Sequence, residues 1–66
     1  MVFKNKATIP KDLTIENTMN DKDVIFQKGL ILNNNSKFIA SKAYVKVTGE
    51  FTMAEGSELE CKTLEC

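Results

Sequence analysis

Six apolar positions between residues 24 and 40 recur in the same order, with the same spacing, at a shift of 21 along this chain. Few of the aligned residues are identical, but the apolar pattern is kept. Ser36 of one polar segment aligns with Ser57 of the next. A period of about 20 to 50 residues is typical of stacked supersecondary units. The aligned pairs are Val24 with Val45, Phe26 with Val47, Leu30 with Phe51, Leu32 with Met53, Phe38 with Leu59 and Ala40 with Cys61.

Within each unit, apolar residues occupy every second position of short runs, which predicts short β-strands. The segments between the runs are rich in Asn and Gly, which favour sharp turns. Three such strands with their turns use about 21 residues, and stacked strands lie about 4.8 Å apart. We therefore expect an all-β fold, a small β-solenoid (β-roll) of about 21-residue coils. Ordinary β-hairpins, which also alternate, are the alternative.

Residues 23–66 are predicted to form two coils, and residues 1–22 a partly irregular segment. The outward positions of the first coil are isoleucines 25, 31 and 39, whereas one coil later they are Lys46, Thr52 and Glu60. This difference indicates that the first coil is covered, and residues 1–22 are the expected cover or a partial first coil with a strand at 13–15. A protein-binding isoleucine patch is the alternative. The apolar residues of the expected cover are Val2, Phe3, Ile9, Leu13, Ile15 and Met19.

Residues that carry common catalytic chemistry are missing from the sequence. The chain has no His and no Arg, so it lacks the usual acid–base group at neutral pH and the bidentate clamp for phosphate. Its glycines are scattered singly, outside any phosphate-loop spacing. Clustered Glu55, Glu58 and Glu60 are expected to form a solvated acidic face. We predict a protein that is not an enzyme and has no cofactor or metal site.

The two cysteines, Cys61 and Cys66, lie close to the C-terminal end of the sequence. In an extended strand they would be about 17 Å apart and on opposite faces, too far for a disulfide without a tight turn. We expect Cys61 to be a small core residue and Cys66 an exposed thiol. An intermolecular disulfide through Cys66 is the second interpretation. An intramolecular disulfide, or a metal shared with another chain, is the third.

The chain carries no net charge, but its charges are unevenly divided. Residues 1–48 hold eight lysines and four acids, and residues 49–66 hold one lysine and five acids, giving +4 and −4. In a solenoid these charges lie at opposite ends, which favours a head-to-tail homo-oligomer. The neutral total argues against a nucleic-acid partner, and no apolar stretch is long enough to span a membrane.

Uncapped solenoid ends expose strand edges that pair with other chains. A domain this small also buries only about 60% of its unfolded surface, so neighbours would help to stabilise it. The alternative is a larger parent protein that supplies the cap. The expected interface joins Lys4, Lys6 and Lys11 to Glu55, Glu58 and Glu60, with apolar contacts from Val45, Val47, Phe51, Met53 and Leu59.

Two segments, VIFQKGLILNNNSKF from Val24 and VTGEFTMAEGSELEC from Val47, resemble the coat-hanger-stack β-roll repeats of secreted Bacteroidetes proteins. The resemblance covers residues 23–61. The run EGSEL at 55–59 is similar to the last coil of bactofilins, cytoskeletal β-helices that polymerise end to end. Both resemblances imply a structural or adhesive module without catalysis. The first implies an extracellular or cell-surface location. With no signal segment at its start, a cytoplasmic location is the alternative.

The leading hypothesis is thus a self-assembling structural module, such as the subunit of an extracellular filament. A rival is a five-stranded small β-barrel that binds single-stranded nucleic acid or a small ligand. Such binders stack bases on exposed aromatic residues. Most of the five aromatic residues fall at inward positions, and only Tyr44, at a predicted corner, is free for that role. A third hypothesis is an inactive accessory domain of a larger exported protein.

Overall fold

The computed structural model describes residues 1–16 and 22–66. Within these residues the fold is all-β, as the alternation predicts, with eight strands and no helix. The strands are β1 (Val2–Phe3), β2 (Ala7–Ile9), β3 (Thr14–Glu16), β4 (Asp23–Phe26), β5 (Gly29–Leu32), β6 (Lys37–Val47), β7 (Glu50–Met53) and β8 (Glu58–Glu65).

Every described strand pair is parallel, and the strands form two sheets. The smaller sheet has the order β2-β5-β7. In the larger sheet the order is β1-β4-β6-β3, and β8 also pairs with β6. Strands β3 and β4 lie along different parts of β6, since β3 pairs with residues 37–39 and β4 with residues 44–47. Neither sheet is a set of hairpins, because hairpin strands would run antiparallel.

The pairing register follows a simple rule along the chain. Strands β1, β2 and β3 pair with residues 23 positions later, whereas β4, β5 and the first part of β6 pair with residues 21 positions later. The last part of β6 pairs 19 positions later, as in Tyr44 with Thr63. All six residue pairs aligned in the sequence are Cα partners in these ladders.

Strand β6 corrects one expectation, because it runs unbroken through the predicted corner before Val45. Tyr44 therefore lies within a strand and is half-buried, not free at a corner. The pairing of β6 with β8 is irregular here, as residues 41–43 stand opposite Lys62 alone. The buried side chain of Ala43 is small, and the Tyr44 N–H donates to the Lys22 carbonyl at 2.7 Å. The hydrogen bond joins residue 44 to the neighbouring segment where a corner was expected.

The core lies between the two sheets and is formed by the inward positions of the strands. Phe26 is at its centre, with its ring stacked on Phe3 at 4.7 Å between centroids and edge-on to Phe38 at 5.7 Å. Aromatic pairs at such distances stabilise a core beyond their buried area. The buried apolar residues are Ile9, Val24, Phe26, Leu30, Leu32, Phe38, Ala40, Ala43, Val45 and Val47.

Residues 1–16 extend the sheets edge to edge and do not lie across the outward isoleucines. Ile25 lies between its ladder partners Val2 and Lys46, and is half-buried there. Ile31 and Ile39 are half-buried in the same way. Met19, part of the expected cover, lies outside the described residues. The flanking side chains on neighbouring strands thus supply the partial burial that a separate cover was expected to give.

Three turns between strands are built alike and lie above one another. In each, the N–H of the fourth residue donates to the carbonyl of the first, and the third residue has a positive φ that Asp, Asn and Gly tolerate. The turns span residues 10–13, 33–36 and 54–57, with closing bonds of 3.2, 3.1 and 3.0 Å. The positive-φ residues are Asp12 (62°), Asn35 (58°) and Gly56 (79°).

Candidate functional site: the two ends of the sheets

The sheets end in β7 and β8 on one side, which we call the C-terminal end. Met53 and Leu64 belong to the inward rows of side chains but are 46% and 44% exposed, because no described strand lies beyond them. Phe51, Leu59 and Cys61 are half-buried for the same reason. A shallow depression of about 640 Å³ opens here, lined by Glu58, Leu59, Glu60, Cys61, Lys62 and Leu64. Apolar side chains and two free strand edges therefore share one surface.

The opposite side, which we call the N-terminal end, consists of β1, β2 and β3. Its largest exposed apolar residues are Met1, Val2, Leu13 and Ile15, between 39% and 51% exposed. Ile9 is buried, and Phe3 and Ala7 are half-buried. This end is therefore apolar as well.

The structure divides the predicted apolar interface into two groups. Phe51, Met53 and Leu59 lie at the C-terminal end, as expected of contact residues. Val45 and Val47 are instead 0% and 3% exposed, so they are covered within the chain itself and are not free contact residues there. Val45 is buried because it lies in β6 between Val24 of β4 and Leu64 of β8.

Two of the predicted interface charges are already paired within the chain. The Lys6 ammonium donates to Glu50 Oε1 at 2.8 Å, and Lys37 Nζ lies 3.4 Å from Glu58 Oε2. Glu60 accepts a hydrogen bond from the Ser41 hydroxyl. Lys4, Lys11 and Glu55 form no salt bridge with another described residue. These three charges are therefore the ones most available to a partner.

Glu50 is a residue that the sequence analysis missed. The hydrogen bond from Lys6, and then the Lys6 charge, lower the pKa of Glu50 below its ordinary value. Lys6 immediately precedes Ala7, and Glu50 immediately precedes Phe51; Ala7 and Phe51 both pair with Leu30. A shift of 23 followed by a shift of 21 leads from Lys6 to Glu50, so using both shifts would have placed these two residues in the same row.

Both cysteines are free thiols. Cys61 is half-buried beside Ala40, its ladder partner, and burial raises the pKa of its thiol. Cys66 is exposed. Among the described residues there is no group of three or more His, Cys, Asp or Glu side chains that could hold a metal ion.

A second depression surrounds Tyr44, away from the ends. It has a volume of about 630 Å³ and is lined by Tyr44, Thr63 and three lysines, Lys22, Lys42 and Lys62. The Tyr44 hydroxyl donates to the carboxylate of Glu65. None of the three lysines forms a salt bridge with another residue in the described part of the chain. The rival barrel architecture is wrong, because the described sheets are parallel and do not close.

Comparison with known proteins adds no relative. No protein-family model matches the chain, no curated protein is significantly similar in sequence, and no solved structure is significantly similar to it. The described residues also include no helix long and apolar enough to cross a membrane. The function must therefore be inferred from the geometry of the chain itself.

Proposed function

We propose that this chain is a short β-solenoid with about 21-residue coils, a structural module that self-associates through its two ends. The parallel register supports this architecture, because the sequence separation of ladder partners is 23, then 21, then 19 along the chain. A coil that advances by one strand per turn produces such nearly constant separations, whereas hairpins do not.

The observation that carries the functional proposal is the exposed C-terminal end. Met53 and Leu64 continue the rows of buried side chains beneath them, yet close to half of each side chain's surface is exposed. Free strand edges with apolar neighbours are templates for pairing with another chain. Burial of apolar area removes about 25 cal/mol per Å² from the free energy, so covering this end is favourable.

The proposed role is non-catalytic. The sequence contains neither His nor Arg, and its carboxylates at 55, 58 and 60 are exposed. A filament subunit or an adhesion module at the cell surface needs neither catalysis nor a cofactor. The resemblance to β-roll repeats of exported proteins motivates the extracellular setting. Detecting the protein in surface and cytoplasmic fractions of its cells would test that location.

Analytical ultracentrifugation over a range of protein concentrations tests self-association. We expect concentration-dependent oligomers in low salt and weaker association in high salt, since salt screens the exposed charges. A monomer at all concentrations in low salt would overturn the proposal.

A matched pair of variants locates the surface on β7. Met53→Lys places a charge in the apolar end and should abolish association. Thr52→Lys adds the same charge one residue away, on the outward face of the same strand, and should leave association nearly unchanged. Equal losses in both variants would mean that the outward face, or net charge alone, controls assembly.

The Tyr44 depression favours a second candidate function, binding of a single-stranded nucleic acid. Three lysines around an aromatic ring provide the positive charge and the stacking surface that such binding uses. Fluorescence anisotropy with a labelled oligonucleotide tests it. Binding that Tyr44→Phe retains and Tyr44→Ala loses would support stacking, and no binding in low salt would exclude this function.

A further inference from the structure

Resting on the proposed self-association, we infer that the chains join in one fixed register, in which the N-terminal end of one copy continues the sheets of the next. Strand β2 of the added copy lies along β7, and β3 along the first part of β8. In this register, Lys11 of one copy faces Glu55 of the other.

The stacked turns define the register. The Asp12 N–H donates to the Asn34 carbonyl at 3.0 Å, and one level on the Asn35 N–H donates to the Glu55 carbonyl at 3.2 Å. At both steps the N–H of the third residue of one turn donates to the carbonyl of the second residue of the next turn. The next donor in the series is the Gly56 N–H, and the acceptor that continues the series is the Lys11 carbonyl of another copy.

Apolar side chains continue their rows across this junction. One strand separates Ala7 from Phe51 and Ile9 from Met53 in the smaller sheet. One strand likewise separates Ile15 from Leu59 in the larger sheet. In the added copy these residues therefore lie directly over their equivalents. The contacts formed are Ala7 on Phe51, Ile9 on Met53 and Ile15 on Leu59.

At one position of the coil the two copies compete for the same place. One ladder contains four segments: β1, β4, the last part of β6 and the last part of β8. The ladder of β2, β5 and β7 contains three, so it is one strand shorter. With β2 of the added copy on β7, its β1 therefore falls where the last part of β8 lies. We expect β1 to displace residues 63–66, because Leu64, the partner of Val45, is 44% exposed, and Phe3 of the added copy continues the row of Phe26 and Val47.

Charge favours this arrangement over the symmetric ones. The C-terminal end carries five glutamates and one lysine, so two C-terminal ends placed face to face would repel. The N-terminal end carries Lys4, Lys6 and Lys11 against Asp12 and Glu16. Head-to-tail contact places Lys11 beside Glu55, although it also places Glu16 beside Glu60, a like-charged contact. A heterologous contact of this kind adds copies in one direction.

A charge-swap experiment tests the Lys11–Glu55 contact. Lys11→Glu alone gives two acidic groups at the junction, and Glu55→Lys alone gives two basic groups. Each variant by itself should associate about tenfold more weakly than the original chain, as expected when attraction between exposed charges becomes repulsion. Lys11→Glu and Glu55→Lys together in one chain should regain the lost affinity, because the new glutamate of one copy then faces the new lysine of the next.

Deletion of residues 63–66 tests the displacement. The shortened chain leaves the place of β1 empty, so it should associate more tightly than the original chain. Unchanged or weaker association would show that the last part of β8 stays in the junction and that β1 does not replace it.

The control for the charge swap carries Lys4→Glu and Glu55→Lys together in one chain, in which Lys11 still faces the new lysine. It contains the same charge changes, but Lys4 does not lie in the row of Glu55, so no recovery is expected. Circular dichroism establishes that each variant folds. If the original chain associates and the two double variants behave alike, the register is wrong while self-association stands. If the original chain stays monomeric, the proposed function and the register both fail.

Discussion

A Cβ atom on Gly29 would stand 2.6 Å from the backbone carbonyl oxygen of Glu50, its partner in the ladder of β5 and β7. This oxygen belongs to the sheet and cannot turn aside. Gly29 also has a φ of 118°, which side-chain-bearing residues rarely adopt. We predict that Gly29→Ala lowers the free energy of unfolding by about 3 kcal/mol, measured by urea denaturation.

Gly56→Ala is the matched comparison. Its φ is also positive, but the added Cβ would meet the side-chain oxygen of Asn35, which can rotate away. The expected loss is therefore smaller, about 1 to 2 kcal/mol. A larger loss for Gly56→Ala than for Gly29→Ala would show that backbone crowding at β5 and β7 is not the dominant cost.

Ser36 and Ser57 occupy the same position in two stacked turns and allow a test of burial. The Ser36 hydroxyl donates to the Asn33 carbonyl at 2.8 Å and is fully buried, whereas Ser57 makes the same bond to Ala54 at 2.6 Å and is half-buried. We predict that Ser36→Ala costs about 1 kcal/mol in unfolding free energy and Ser57→Ala about half as much, because water replaces the second bond. Equal costs in thermal or urea unfolding would contradict this.

The ion pair of Lys6 and Glu50 predicts a local pH effect. Lys6 lowers the pKa of Glu50 below its ordinary value of 4.5, so the stabilisation is complete above that pH. It is lost as the pH falls through the lowered pKa of the folded chain. An NMR titration of the Glu50 carboxyl carbon should show its pKa rise toward the ordinary value in Lys6→Met, because the Lys6 hydrogen bond and charge are the largest causes of the lowering. Lys4→Met should leave it unchanged, and an equal response to both variants would mean that general charge sets the pKa.

The two thiols are predicted to react at different rates. Cys66 is exposed, whereas Cys61 is half-buried and burial raises the pKa of its thiol, so less of it is the reactive thiolate. In the folded monomer iodoacetamide should label Cys66 first, as read by mass spectrometry of the peptides. In urea the two rates should become similar. Faster labelling of Cys61 in the folded chain would contradict the described packing.

Much of the core was accessible from the sequence. The inward residues of the first unit, including Val24 and Phe38, are buried, and each pairs with the residue 21 positions later. The alternation succeeded because each strand has one face toward the core and one toward solvent. Burial at the C-terminal end was less predictable, since Met53 has the right pattern but no strand beyond it.

One stretch of β6, residues 41–43, limited what the 21-residue shift could predict. The sequence separation of ladder partners changes from 23 to 21 to 19 only around residues 41–43, and a single shift of 21 cannot describe it. A shift of 23 would have paired Phe3 with Phe26 and Ile15 with Phe38. The lysines around Tyr44 gave no local signal, because pairing between strands brings together residues distant in sequence.

The nearly constant register also has a kinetic consequence. Every strand pair among the described residues joins positions 19 to 23 apart in sequence, so each closes a loop of similar length at a similar entropic cost. Proximity along the chain therefore favours no strand pair over the others. The pair that buries the most apolar surface is then expected to form first. Val24 of β4 and its partner Val45 of β6 are both fully buried, so we expect folding to begin at this pair. From there it would spread toward both termini as a zipper, more slowly than in a helical chain of equal length.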